Sequence, residues 1–365
     1  AMALTRSVAA VFLVGLSITA SLPLGDENSE PDSYEVLVGK LTRHRLPRLN
    51  INTSSITVSG ISSGAFFAVQ FHVAFSTSIQ GAGIFAGGPY WCAKDDVARA
   101  LSACMGHPEL IDVAALIAAT DYAATIKSID PPKEGLQHDR VWMFTGEKDT
   151  EVKPGVVDKT HEFYDHWVEK EDSHLIGTYP ASHAWVTDKF GNDCDFFGTP
   201  YINNCHVDAA GEMLQFLFEN RLVNRTTAQA SSIVSFSQKL YTPIKITPAD
   251  ISLGPTGMAY IPAKCTSGSE CKLHIAFHGC EQDLGTIGDA LVQHSGLNEW
   301  AEANDMVVLY PQAAISNVTP YNPKGCWDWW GYTLPDYATQ IAPQIDTIKN
   351  MIHAVTGNFK SHWEK

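Results

Sequence analysis

Positive charge is scarce in this chain. Its 25 lysines and arginines stand against 40 aspartates and glutamates, a formal net charge of −15 over 365 residues, which argues against nucleic acid or an anionic membrane surface as a partner. Long apolar runs are lacking too. The run near the N-terminus is too short to span a bilayer, and no later stretch reaches that length. There is no CxxC pair and no clustered Cys/His set, so a zinc site would find no ligands and neither metal nor cofactor is expected. Internal repeats and low-complexity tracts are absent. What remains is a globular composition, 45% hydrophobic and 10% aromatic, enough for one large α/β domain or two small ones.

The N-terminus reads as an export signal: Arg6, then the apolar stretch Val8 to Leu16, then small residues around Ala20 where cleavage fits. Residues 1–20 are therefore expected to be a signal peptide, 21–45 a flexible acidic lead-in, and 46–360 the folded domain of a secreted protein. Eight cysteines suit that destination. An even number in an exported chain reads as four disulfides; by proximity alone they group as Cys92/Cys104, Cys194/Cys205, Cys265/Cys271 and the remaining Cys280/Cys326, with other connectivities open. Asn52, Asn224 and Asn317 each begin an N-glycosylation acceptor triplet.

Short apolar runs alternate with helical stretches. Strands are expected at Ile56 to Gly60, Gly83 to Gly87, Val141 to Gly146, His174 to Tyr179, Gly257 to Ile261, Leu273 to His278 and Met306 to Tyr310. Helices are expected at Ala65 to Ser76, Val156 to Glu169, Ala209 to Asn220, Ser295 to Asn304 and Tyr337 to Val355. This alternation predicts an α/β fold: a mostly parallel sheet with helices on both faces. Arg221 to Ile251, rich in Ser and Thr, is the one compositional seam, with a possible strand at Ser232 to Ser237.

Between the first strand and the first helix lies Gly60-Ile61-Ser62-Ser63-Gly64. A G-x-S-x-G turn in that position is the nucleophile elbow of α/β-hydrolases, whose glycines allow a reversal sharp enough to expose the serine hydroxyl. The order of parts is unusual. An early strand normally ends in a His-Gly oxyanion loop ahead of the elbow, whereas here His278-Gly279-Cys280 lies far downstream. A circular permutation, with the chain cut just before the elbow strand, accounts for that order at little cost to the fold.

A serine becomes nucleophilic when an imidazole takes its proton, and a carboxylate must hold the imidazole's tautomer. In this fold the carboxylate and the imidazole follow the serine, in that order, at later strand ends. Asp149 follows the strand Val141 to Gly146, and His183 follows the strand His174 to Tyr179. The expected triad is Ser62, Asp149 and His183, with Glu147, then Asp193 or Asp195, as rival acids and His174 and His206 as weaker bases. The amides of Ser63 and Cys280 are the expected oxyanion donors, with His278 shaping the second loop. A Cys280–Cys326 bridge would tether that loop to Trp327-Asp328-Trp329-Trp330, where indole rings could either line a groove or pack the core.

The elbow, Phe85-Ala86-Gly87-Gly88-Pro89-Tyr90, His278-Gly279-Cys280, Asn298-Glu299-Trp300-Ala301, Leu309-Tyr310-Pro311-Gln312 and Gly325-Cys326-Trp327-Asp328-Trp329 together resemble the secreted, single-domain polyhydroxybutyrate depolymerases, whose α/β-hydrolase fold is circularly permuted. The likeness runs from Leu46 to Phe359. It implies a serine esterase cutting 3-hydroxyalkanoate polyesters or oligomers. Residue by residue it puts the catalytic set on Ser62, Asp149 and His183, the oxyanion amides on Ser63 and Cys280, and a substrate-contacting tryptophan on Trp329. It also gives all eight cysteines counterparts, in favour of the local pairing. A monomer acting on polyester or oligoester, without nucleic acid or membrane, is expected. Ala65-Phe66-Phe67 is bulkier than the small residues usual after the elbow. The competing enzyme reading is a feruloyl or acetyl-xylan carboxylesterase, and outside enzymes a catalytically dead binding protein on the same scaffold.

Overall fold

The computed structural model describes residues 45–364. The expected signal peptide lies outside the described residues, as does all of the lead-in but its last residue. The strands, in chain order, are β1 (Ile51–Ile61), β2 (Gly81–Phe85), β3 (Arg140–Gly146), β4 (Ser173–Tyr179), β5 (Trp185–Thr187), β6 (Asn192–Asp193), β7 (Ile202–Asn204), β8 (Ile233–Ser237), β9 (Thr256–Tyr260), β10 (Cys271–Phe277) and β11 (Met306–Tyr310). The longer helices are α1 (Ser63–Ala74), α2 (Val97–Gly106), α3 (Val113–Thr125), α4 (Pro154–Tyr164), α5 (Ala209–Leu217), α6 (Leu297–Ala303) and α7 (Pro343–Thr356).

Eight strands form one sheet in the order β4-β3-β2-β1-β10-β11-β9-β8. All neighbours are parallel except β9, which runs antiparallel to both β8 and β11. Crossed from the β8 edge, the sheet is built first from the C-terminal half of the chain and then from the N-terminal half. If the chain were joined from α7 back to β1, strand order would rise steadily across the sheet with a single exchange at β10 and β11. This is the expected permutation. The Leu49 amide donates to the Val355 carbonyl at 2.8 Å, so the chain enters the sheet beside the end of its last helix, and a cut there disturbs little.

Both faces of the sheet are covered. The space where a Gly83 side chain would stand is filled by Met213 of α5, while the side chain of Ile84 lies toward Ala65 of α1. Adjacent strand residues point to opposite faces, so α1 and α5 pack on opposite sides. The elbow strand sits at the centre of the sheet. From Ile56 to Ile61 β1 is completely buried, as suits a parallel strand flanked by helices.

Several expected elements shift. The last helix starts at Pro343, not Tyr337: proline occupies its first turn, where its missing N–H costs nothing, and the residues before it form turns. The expected helix Val156 to Glu169 runs Pro154–Tyr164. β1 extends back to Ile51. Helices α2 and α3 and the small sheet β5-β7-β6 were not expected at all. The possible strand in the compositional seam is present as β8, one residue shorter than expected, at the edge of the main sheet.

Candidate active site

At the end of β1 the chain turns back on itself. Ser62 takes φ 56° and ψ −125°, a conformation that costs of order 1–3 kcal/mol and persists only where the surroundings enforce it. Its amide donates to the Phe85 carbonyl (2.9 Å), and its carbonyl accepts from the amides of Ala65 and Phe66 (2.8 and 3.0 Å). The bracketing glycines are required by space: a Cβ on Gly60 would run into the Gly64 carbonyl, and one on Gly64 into the carbonyls of Phe277 and His278. The elbow and the end of β10 are therefore in backbone contact.

β3 and β4 deliver the next two side chains. After β3 the amides of Glu147 and Lys148 donate to the carbonyls of Tyr179 and Ala181 (2.9 and 3.0 Å), which binds the acid loop to the histidine loop. Asp149 is buried. Its Oδ1 accepts from the amides of Glu151 and Val152, both at 2.9 Å, and its Oδ2 accepts from His183 Nδ1 at 2.7 Å. That contact keeps the Nδ1 proton in place and leaves Nε2 as the nitrogen available for chemistry. Ser62 and His183 line the same cavity, of about 520 Å³.

The rival residues lie elsewhere. Glu147 and Asp193 are exposed, and Asp195 pairs with Lys148 at 2.6 Å on the surface. His174 is exposed and stacks on Phe216, and His206 is exposed in a turn. His278 is buried, with Nδ1 against the Gly279 carbonyl (2.7 Å) and Nε2 accepting from the Ala313 amide (3.1 Å). Burial pushes its pKa down, so it is a neutral brace for the loop.

Ser63 and Cys280 carry backbone amides with no protein acceptor among the described residues. Ser63 opens α1, where the first amides are left unpaired by the helix itself. Cys280 follows Gly279, whose added Cβ would lie 3.3 Å from Ser62 Cβ, so the second loop passes directly beside the serine. Sequence reasoning missed the residue that holds this loop. Buried Gln282 accepts from the Gly279 amide through Oε1 (2.7 Å) and donates through Nε2 to the carbonyls of Pro200 and Tyr201 (3.0 and 2.9 Å). No motif marks a glutamine for such work.

Four disulfides join Cys92–Cys104, Cys194–Cys205, Cys265–Cys271 and Cys280–Cys326. The last ties the Cys280 loop to the tryptophan segment. The tryptophans divide between the two roles that sequence left open. Trp327 is fully buried against Phe67 and Phe277. Trp329 and Trp330 line the cavity, although Trp329 is only 5% exposed. Of the three acceptor asparagines, Asn224 and Asn317 are exposed and Asn52 is half-buried.

A permuted α/β-hydrolase sheet, a strained serine at its central elbow and a buried Asp–His pair on the following strand loops define a serine hydrolase. No family model matches the chain. A poly(3-hydroxybutyrate) depolymerase of Delftia acidovorans is 38% identical over 315 residues, 85% of this chain and 61% of the relative, so the chain spans under two thirds of that relative's length. A polyhydroxybutyrate depolymerase of Talaromyces funiculosus is 34% identical over 86% of this chain and 94% of its own. Among solved structures, the PHB depolymerase of Penicillium funiculosum superposes with a TM-score of 0.79 at 30% identity, covering 87% of this chain and all of that one. A serine-to-alanine PHB depolymerase complexed with an R3HB trimer gives 0.78 at the same identity and coverage. The chain belongs to the polyhydroxybutyrate depolymerase family.

Proposed function

We propose that this protein is an exported serine esterase that hydrolyses poly(3-hydroxybutyrate)-type polyesters or their oligomers through an acyl-enzyme on Ser62. His183 Nε2 takes the Ser62 proton as Oγ attacks the ester carbonyl, and returns it to the departing alcohol oxygen. Asp149 keeps the Nδ1 proton in place and stabilises the imidazolium. The amides of Ser63 and Cys280 donate to the tetrahedral oxygen; loss of one such donor costs roughly 3–4 kcal/mol. Water, activated by the same histidine, then releases the 3-hydroxyacyl group and restores the serine. Trp329 and Trp330 give the ester chain an apolar wall, and residues 46–360 act as one catalytic unit.

The single observation that carries this reading is the 2.7 Å Asp149–His183 contact in one cavity with the elbow serine, in a relative of enzymes named for this substrate. Four disulfides support an oxidising destination, and no helix among the described residues is long and apolar enough to cross a membrane. The test is product analysis on a polyester film and on plant polysaccharide esters. Release of 3-hydroxybutyrate or its oligomers is expected; release of ferulate or acetate with none from the film would reject the substrate assignment. Failure of a fluorophosphonate probe to label Ser62 would reject the enzyme reading altogether.

A further inference from the structure

Phe66 stands one helical turn beyond the nucleophile, its amide bonded to the Ser62 carbonyl at 3.0 Å, and its side chain lines the same cavity. The ring is packed from two sides. One face stacks on Trp329, with centroids 4.1 Å apart and planes 23° from parallel. Its edge fills the space a side chain at Gly88 would need, so a Cβ there would collide with the ring. Trp329 is backed in turn by Trp330, edge-on at 5.5 Å. Around it Asp328 is fully buried and accepts from the amides of Gly331, Tyr332 and Thr333 at 2.8, 3.0 and 2.9 Å, which fixes the turn that carries both indoles. Phe66 itself is 2% exposed: the cavity meets only a small part of it, as it would meet a wall.

Resting on the esterase reading above, we infer that Phe66 sets the side-chain specificity of the cleft. Its ring closes the space beside Ser62, so that an acyl unit with a methyl branch is admitted and one with a pentyl branch is refused. The wall is rigid because Gly88 and Trp329 grip the ring from two sides, and a close-packed aromatic stack does not yield to an extra methylene without displacement. Replacing phenylalanine by alanine opens room for several methylenes in an apolar lining, and each one buried favours the longer branch.

The test compares kcat/KM for the p-nitrophenyl esters of 3-hydroxybutanoic and 3-hydroxyoctanoic acids. These soluble substrates report on the cleft whether or not the enzyme attacks polymer. In Phe66→Ala the ratio of long-branch to short-branch kcat/KM is expected to rise at least tenfold over the parent, and in Phe66→Leu by a smaller, same-signed step. Melting curves accompany both variants; if the alanine variant does not fold, the leucine variant decides. Equal losses on both esters would mean a packing role only and overturn the inference, as would a parent enzyme indifferent to branch length. A shifted ratio in a parent that releases no 3-hydroxybutyrate from film would leave Phe66 in its role and reject the polymer reading instead.

Discussion

At the scale of single residues the site separates into groups that react and groups that hold. Asp149 makes no contact with a substrate in the proposed mechanism; it fixes the imidazole. Asp149→Asn, which keeps the shape and reverses the hydrogen-bond logic, is therefore expected to lower kcat by about 10⁴, and Ser62→Ala to abolish turnover with the melting temperature unchanged. Glu147→Gln should leave kcat within a few-fold, because that side chain is exposed; a larger loss there than in Asp149→Asn would reassign the acid. A second buried histidine holds the elbow strand. His274 of β10 lies between Thr57 Oγ1 and Ser59 Oγ, both 2.8 Å from its ring nitrogens, and burial depresses its pKa to about 3. Unfolded, it would titrate near the ordinary value of about 6.5, so between these limits the unfolded chain binds the extra proton. Stability from this group is fully present above about pH 6.5 and is lost as pH falls toward 3, by about 1.4 kcal/mol for each pH unit. Buried Asp139, raised to about 6, contributes with the opposite sign in this window, so it is the difference between the parent and His274→Gln in denaturant unfolding from pH 7 to pH 4.5 that is expected to show a one-proton slope. An identical slope in the variant would remove His274 as the source.

At the scale of elements the oxyanion loop is the least self-sufficient part of the site. It leaves β10 with no regular structure, and it is held by His278 against Ala313, by the Cys280–Cys326 bridge and by Gln282, which reaches from Gly279 to the Pro200–Tyr201 turn. Gln282→Leu keeps the bulk and removes all three hydrogen bonds. The expected result is a 10- to 100-fold fall in kcat with KM within about threefold, since a misplaced amide is felt where charge develops in the transition state. Equal change in both constants would mean that the glutamine shapes the cleft rather than the donor. Such holding residues were not legible in the sequence. The elbow was legible because Gly60 and Gly64 are demanded by backbone contacts that no other residue permits, and the strand-then-loop rhythm led to Asp149 and His183. Gln282 has no local pattern, because two of its three partners, the carbonyls of Pro200 and Tyr201, lie far along the chain; Phe66 stood out in the sequence only as bulk after the elbow, since its stacking partner Trp329 is equally distant. Helices α2 and α3 escaped notice because they leave Val97, Leu101 and Tyr122 exposed, which blurs an inward-facing stripe. The strands of the small sheet have only two or three residues each, too few for a period to register.

At the scale of the whole molecule, the chain must reach an ester buried in a solid if the proposed substrate is right, and several exposed apolar side chains line the cavity that holds Ser62. Val97 and Leu101 from α2, Phe197 from the turn after β6 and Tyr321 from the segment after β11 all line the cavity while being 46–66% exposed. Close to them in sequence, and not among the residues that line the cavity, Phe196 and Val318 are 51% and 73% exposed. Three segments distant in sequence thus bring apolar side chains to one mouth on a protein whose net charge is −15. Single exposed apolar residues are ordinary, but a gathered set marks a contact surface, and an uncharged polyester offers no charge for the rest of the surface to oppose. Phe196→Glu with Val318→Glu alters this rim without touching the cavity. Each carboxylate would forfeit apolar contact worth about 1.5–3 kcal/mol if fully made, so film adsorption at low enzyme concentration is expected to fall at least tenfold, and the initial rate on film with it. Turnover of a soluble p-nitrophenyl ester should stay within about twofold of the parent. Adsorption isotherms and the two rates, measured on the same preparations, decide the matter: unchanged film binding would show that the rim is not the contact surface, and a matching loss on the soluble ester would show that the substitutions had reached the cleft.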